Sequence, residues 1–208
     1  MKYYPAFLDL NNRKAVVVGG GRIAERKVRS LLKAGAVVKV VSPDVTPGLK
    51  KLGYQGKISH KKKPYSKGDL SGAFIVIAAT SSAAVNSKAA QEAEHLVNII
   101  DMPADGNFIV PSLVSRGNLT IAISTGGASP AVSKAVRKEI EEKYDAEFAH
   151  YLRFAESVRG KALKEIKDAK KRERFLKSLA SAEILTILRK SGFEKASREI
   201  LKALDKTK

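Results

Sequence analysis

The segment Ala15-Val16-Val17-Val18-Gly19-Gly20-Gly21-Arg22-Ile23-Ala24 constrains the fold more than any other feature of this 208-residue chain. A β-branched run that stops on glycine reads as a buried parallel strand entering a tight turn. A helix is predicted from Ile23 to Ala34, with Ile23, Val28, Leu31 and Leu32 on its inner face and Gly35 as its stop. The turn has the form Gly-x-Gly-x-x-Ala. Gly19 permits the bend, Gly21 admits a phosphate to the backbone, and Ala24 lets the helix lie close to the strand. Free N–H groups at the helix start favour a pyrophosphate there. A tight turn with no ligand is the plainer alternative; the strand–turn–helix context favours dinucleotide binding.

The strand–helix alternation continues. Val37 to Val41 is predicted as a second strand, ending at Ser42-Pro43-Asp44. Phe74 to Ala78 is another, closing at Thr80-Ser81-Ser82, whose hydroxyls suit a helix N-cap; the Ala-rich stretch to His95 is that helix. Val97 to Ile100 is a further strand and ends on Asp101. Short connections between such elements imply a parallel sheet with right-handed crossovers. Ligands bind outside the carboxyl ends of such strands, so Gly19–Gly21, Pro43–Asp44, Thr80–Ser81 and Asp101 are expected to line one crevice.

From about Pro111 the pattern changes. Leu119 to Ile123 reads as a strand, followed by Ser124-Thr125-Gly126-Gly127-Ala128-Ser129-Pro130. Ser129 as N-cap and Pro130 at the first helical position open a helix to about Tyr144. The remainder reads as two or three helices, the last pair parted near Ser191-Gly192.

Charge narrows the partners. The net charge of +18 divides evenly, +9 in residues 1–115 and +9 in 116–208, so there is no basic tail of the kind that wraps nucleic acid. His60-Lys61-Lys62-Lys63 and Arg153 to Lys177 are local basic clusters, read most simply as solvated faces. The absence of Cys excludes a disulfide framework and a thiolate nucleophile. The longest strictly apolar run, Ala73 to Ala79, is too short to span a bilayer, and the N-terminus does not lead into a secretory signal. A cytoplasmic location is expected.

Asp44, at the end of the second strand, can accept a hydrogen bond from a ribose 2′-hydroxyl and would repel a 2′-phosphate; no Arg stands between Val41 and Gly48. This favours NAD over NADP, unless Asp44 is an ordinary loop carboxylate. Asp101 is placed to act as a general base, or equally to cap the turn at Met102-Pro103-Ala104. His60, His95 and His150 show no metal-ligand spacing, and no metal site is expected. Ser124, Thr125 and Ser129 lack a nearby base, so no hydrolase is read. Gly126-Gly127 could form a second anion-binding turn, though helix capping is the safer account.

A family resemblance rests on these and neighbouring residues. Phe7-Leu8-Asp9-Leu10, the run Ala15 to Lys27, Ile77-Ala78-Ala79-Thr80, Val97 to Asp101, Phe108-Ile109-Val110-Pro111-Ser112 and Ile121 to Pro130 together resemble precorrin-2 dehydrogenase, the dehydrogenase/ferrochelatase module of siroheme synthase. The likeness covers residues 3 to about 145; beyond that the helical tail matches only in type. Two departures stand out. Ser81-Ser82 replaces residues that are often acidic, and Thr125 stands where Ser is common.

The resemblance implies an α/β fold with three parts: a Rossmann-like parallel sheet over 1–112, a central α/β dimerisation region over 113–145, and a C-terminal helical domain over 146–208. It implies a homodimer that oxidises precorrin-2 to sirohydrochlorin with NAD, some relatives also inserting ferrous iron. Asp101 matches the family's catalytic position; Gly19, Gly21, Arg22, Ile23, Pro43, Asp44 and Thr80 match its cofactor side. At this length no methyltransferase domain is expected. A tetrapyrrole bearing eight carboxylates would suit a basic cleft, with Arg116, Thr125 and Lys134 as first candidates for contacting it. Two rivals remain, a non-catalytic NAD-sensing module and, on charge alone, a nucleic-acid-binding protein. Neither a membrane nor nucleic acid is an expected partner.

Overall fold

The computed structural model describes residues 2–100 and 102–208, which fold as two compact units, Met1–Val110 and Pro111–Lys208. In the first unit five parallel strands stand in the order β3-β2-β1-β4-β5: β1 Lys14–Val18, β2 Val37–Val41, β3 Ile58–Lys61, β4 Ile75–Ala78 and β5 Leu96–Ile99. Helices α1 (Arg22–Lys33), α2 (Pro47–Tyr54) and α3 (Ala83–Glu92) are interleaved with them. Strand side chains alternate between two faces. Ala15, Val17, Val40 and Ile77 pack with Ala24, Val28 and Leu31 of α1 and Leu49 of α2. Val16, Val18, Val76 and Ala78 pack with Ala89 of α3 and with Leu70 and Ala73. Central strands buried on both faces explain the unbroken β-branched runs.

Ile23 departs from the expected helix face, being 43% exposed. The inner stripe is Ala24, Val28 and Leu31, spaced by four and three residues, and the small Ala24 lets α1 lie against the sheet. In this unit helix α2 and strand β3 were not expected. Helix α2 is capped by Thr46, whose side chain accepts from Leu49 N, with Pro47 in its first turn. Strand β3 runs into Lys61 and the lysine cluster, which suits a sheet edge.

The second unit opens with an antiparallel ribbon, β6 (Ser112–Arg116) and β7 (Leu119–Ile123), joined through Gly117-Asn118. It continues with α4 (Pro130–Lys143), α5 (Ala146–Glu165), α6 (Ala169–Ser178), α7 (Ala182–Ser191) and α8 (Phe193–Thr207). Strand β7 and the start of α4 lie where the sequence puts them. The tail holds four helices after α4 rather than two or three. No glycine or proline separates α5, α6 and α7; Ile166 is the C-cap of α5 and Leu179 that of α6, and Asp168 and Ser181 cap the helices that follow by accepting from Lys171 N and Ile184 N. Val158, Phe175, Leu188 and Ile200 form their shared core. Among the described residues no helix is long and apolar enough to cross a membrane.

Candidate functional site

The carboxyl ends of β1, β2 and β4 are tied together by glycine. Gly19 has φ +117° and donates from N to Val41 O at 2.9 Å; a Cβ on it would lie 2.4 Å from Ala79 O. A Cβ on Gly20 would lie 1.9 Å from Asp44 O, and Thr46 N donates to Gly20 O at 3.0 Å. Gly21 differs, because a Cβ there would meet nothing within 4 Å. It is the N-cap of α1 and provides no side-chain cap. Two glycines therefore join the loops, and the third leaves open space before a helix start that carries positive potential.

A cleft of about 600 Å³ opens from this turn. It brings together Gly19, Gly21, Pro43, Asp44 and Thr80, five of the residues singled out in the sequence. Arg22 and Ile23 are exposed at the head of α1 and are not among its lining residues. Asp101, the expected base, lies outside the described residues. The carboxylate of Asp44 is exposed and makes no hydrogen bond or ion pair among them. Its loop is nonetheless fixed: Ser42 Oγ donates to Asp44 O at 2.7 Å, and His60 Nε2 meets Ser42 O at 2.9 Å. Among the described residues no Lys or Arg lines this cleft.

On the β4 side, Asn86 of α3 is 2% exposed and holds Thr80 at three points. Its Oδ1 accepts from Thr80 N at 3.2 Å and from Thr80 Oγ1 at 2.8 Å, and its Nδ2 donates to Thr80 O at 3.0 Å. Sequence reasoning missed Asn86, and missed Pro64 and Tyr65, which line the cleft from the β3–β4 connection. An Asn eight residues after the end of β4 was the available signal for the first. Pro64 and Tyr65 sit in a loop whose path no local pattern reveals.

In the second unit the Thr125 hydroxyl belongs to the cap of α4. It accepts from Ser129 N at 3.1 Å, donates to Ser129 O at 3.1 Å, and lies 3.1 Å from Ser133 Oγ. Gly126 and Gly127 have φ of +64° and +94°, with open space where a Cβ would be. Arg116 is partly committed to backbone, donating to Tyr144 O at 2.8 Å and Ser115 O at 3.0 Å. Lys134 is exposed on α4 and unpaired among the described residues. Those residues also hold no group of three or more His, Asp or Glu that could bind a metal.

Comparison with known proteins bears on both units. A family model described as "Putative NAD(P)-binding" matches residues 6–112, and one described as "Sirohaem biosynthesis protein central" matches residues 116–143. The siroheme synthase of Methylobacillus flagellatus is 42% identical over 162 residues, covering 76% of this chain and 35% of that protein. That of Thioalkalivibrio sulfidiphilus is 37% identical over 209 residues, 99% of this chain and 42% of the relative. The chain thus spans less than half the length of these synthases. The precorrin-2 dehydrogenase of Priestia megaterium is 37% identical over 153 residues, 73% of this chain and 76% of the relative. Among solved structures, SirC, a precorrin-2 dehydrogenase, matches with a TM-score of 0.85 at 30% identity, covering 98% of this chain and all of that one.

Proposed function

The chain belongs to the precorrin-2 dehydrogenase and siroheme synthase family, and on that premise we propose that it oxidises precorrin-2 to sirohydrochlorin with NAD. The observation that carries this reading is the cleft itself, with Gly21 open at a helix N-terminus and the unpaired Asp44 carboxylate beside it. These residues fit the cofactor. The first turn of α1 would hold the pyrophosphate, and Asp44 would accept from the adenosine ribose. The Asp44 carboxylate would repel a 2′-phosphate, which supports NAD over NADP; Lys50 and Lys62 line an adjoining pocket that shares Pro43, Asp44 and Val45, so the preference rests on Asp44 itself. Arg22 and Ile23, at the head of α1, are proposed to flank the pyrophosphate.

When bound, NAD supplies the acceptor for the hydride that precorrin-2 loses. Asp101 is the proposed general base, taking up the proton released in the same oxidation. The chain's remaining work is to fix the macrocycle against the cofactor. Lys134, Thr125 and the uncommitted part of Arg116 are proposed to meet its carboxylates.

The proposed assembly is a homodimer formed through residues 113–145. A two-stranded ribbon is marginal by itself. Here α4 packs on one face, while Leu113 on the other is 48% exposed, as is Val132 of α4 at 51%. The three-part division into 1–112, 113–145 and 146–208 remains our proposal for the family's domains; in this chain the second and third parts form one compact unit. A cytoplasmic location is proposed for an enzyme of this biosynthetic class.

The test mixes purified protein with precorrin-2 and NAD. One NADH per sirohydrochlorin is expected from the absorbance of both, with Asp101→Ala losing turnover while keeping NAD affinity. No NADH from the wild type would refute the reading, and an unaffected variant would remove Asp101 from it. Ferrous iron added afterwards reports whether the chain also inserts metal, and sedimentation reports the dimer.

A further inference from the structure

The β3–β4 connection contains no helix. It runs from Lys62 to Phe74 as a series of turns, with Leu70 and Ala73 buried beside Val16, Val18, Val41 and Val76. Pro64 and Tyr65, near its start, line the same cleft as Gly21 and Asp44.

Asp69 organises this strap. Among the described residues it is the one carboxylate that is buried, 3% exposed. Its Oδ2 accepts from Lys63 Nζ at 2.7 Å, Ser66 N at 3.0 Å and Ser66 Oγ at 3.2 Å; its Oδ1 faces Lys61 Nζ at 3.5 Å. Lys63 and Ser66 are the two residues that flank Pro64-Tyr65. The strap is also tied to the sheet, since Lys39 of β2 donates to Asp69 O and Lys14 of β1 to Ser71 O. Tyr65 is fixed from the far side, its hydroxyl donating to Glu92 Oε2 of α3 at 2.6 Å.

A buried charge is a poor source of stability, because desolvation offsets the attraction of its partners. Burial pushes the Asp69 carboxyl up, but the bonds from Lys63 and Ser66 outweigh it and hold it down at about 2. The carboxylate therefore stays ionised at neutral pH, grasping both flanks of one dipeptide. That dipeptide follows the end of β3 and shares the cleft with Asp44, beside which the adenosine half of a dinucleotide would sit if its ribose met that carboxylate.

We infer that Asp69 is a positioning residue for the adenosine half of the cofactor, setting the Pro64-Tyr65 wall of the cleft through Lys63 and Ser66. The inference rests on the reading of the cleft as the NAD site. It acts on binding and leaves the hydride and proton transfers alone.

The experiment titrates ADP-ribose, and nicotinamide mononucleotide at millimolar concentration, into wild type, Asp69→Asn and Lys63→Met. Asp69→Asn keeps the side chain's size but loses the charge and one acceptor. Lys63→Met alters a side chain that is 41% exposed, and urea unfolding of both variants establishes that the protein titrated is folded. ADP-ribose affinity is expected to fall about tenfold in Asp69→Asn and about threefold in Lys63→Met, the tenfold loss being about 1.4 kcal/mol. Mononucleotide affinity and kcat at saturating NAD stay within twofold, while KM for NAD rises with the ADP-ribose dissociation constant. Unchanged ADP-ribose binding in a folded variant overturns the inference, as does equal weakening of both fragments. If the wild type binds neither ADP-ribose nor NAD, the cofactor reading itself fails.

Discussion

Gly20 approaches Asp44 so closely that a Cβ on it would lie 1.9 Å from the Asp44 carbonyl oxygen and 2.8 Å from Ser42 Oγ. Gly21, one residue on, would carry a Cβ into open space. The two positions therefore separate fold from function. Gly20→Ala is expected to cost about 1–3 kcal/mol of stability, because the β2 end must move. Gly21→Ala is expected to cost about 1 kcal/mol or less, yet to weaken NAD tenfold or more by filling the space before α1. Melting curves and NAD titrations on both variants check this; equal effects on stability would contradict it.

Asp44 is the second position to test, since its loop is fixed through Ser42 while its carboxylate makes no hydrogen bond or ion pair among the described residues. A hydrogen bond to a charged group contributes roughly 1.5–3 kcal/mol. Asp44→Ala is accordingly expected to raise KM for NAD by about ten- to a hundredfold and to narrow the preference over NADP. Steady-state kinetics with each cofactor decide it. An unchanged ratio of the two would mean that Asp44 does not read the ribose.

These two positions were legible in the sequence for the same reason. A β-branched run ending in glycine, and another ending in Ser42-Pro43-Asp44, are local patterns fixed by burial on both sheet faces. The strap was not legible, because Lys61 to Lys63 read as a solvated face and nothing local shows that Asp69 folds back on them. Helix α2 does carry a local signal, as Thr46-Pro47 repeats the cap-and-proline pattern of Ser129-Pro130. Gly20 illustrates a different gap. The fingerprint treats that place as variable, but here the return of the β2 loop makes it the most tightly packed of the three glycines.

Asn86 satisfies both backbone groups and the hydroxyl of Thr80 from a buried site. Asn86→Ala leaves the Thr80 amide and carbonyl without these partners, and a buried unsatisfied group costs about 1–3 kcal/mol. The variant is expected to lose about 2–3 kcal/mol in urea unfolding and to bind NAD less well. Asn86→Asp is expected to fare no better, because a carboxylate replaces the donor that Thr80 O requires.

Acid should expose the clamp at Asp69. Its carboxyl lies at about 2 in the folded chain, below the ordinary 3.8, so the native state binds this proton less readily than the unfolded one. The resulting stability is present in full above the unfolded value and is lost as pH falls toward the folded one. Between pH 4 and 2 the loss is about 1–2 kcal/mol, allowing for partial screening by solvent. Urea unfolding across this range should show that slope in the wild type and a shallower one in Asp69→Asn. Identical slopes would show that Asp69 has no depressed pKa.

Arg116 and Lys134 entered as equal candidates for the substrate's carboxylates, but their surroundings differ. The Arg116 guanidinium ties β6 to Tyr144 O at the end of α4. Arg116→Ala is therefore expected to lower stability by about 1.5–3 kcal/mol as well as to weaken precorrin-2. Lys134 is exposed and makes no ion pair among the described residues, so Lys134→Ala should change stability by less than about 0.5 kcal/mol. Its signature is a several-fold rise in KM for precorrin-2 at low ionic strength that shrinks as salt screens the carboxylates. Kinetics at two salt concentrations, paired with melting curves, separate these roles. A salt-independent KM in Lys134→Ala would remove that residue from the substrate site.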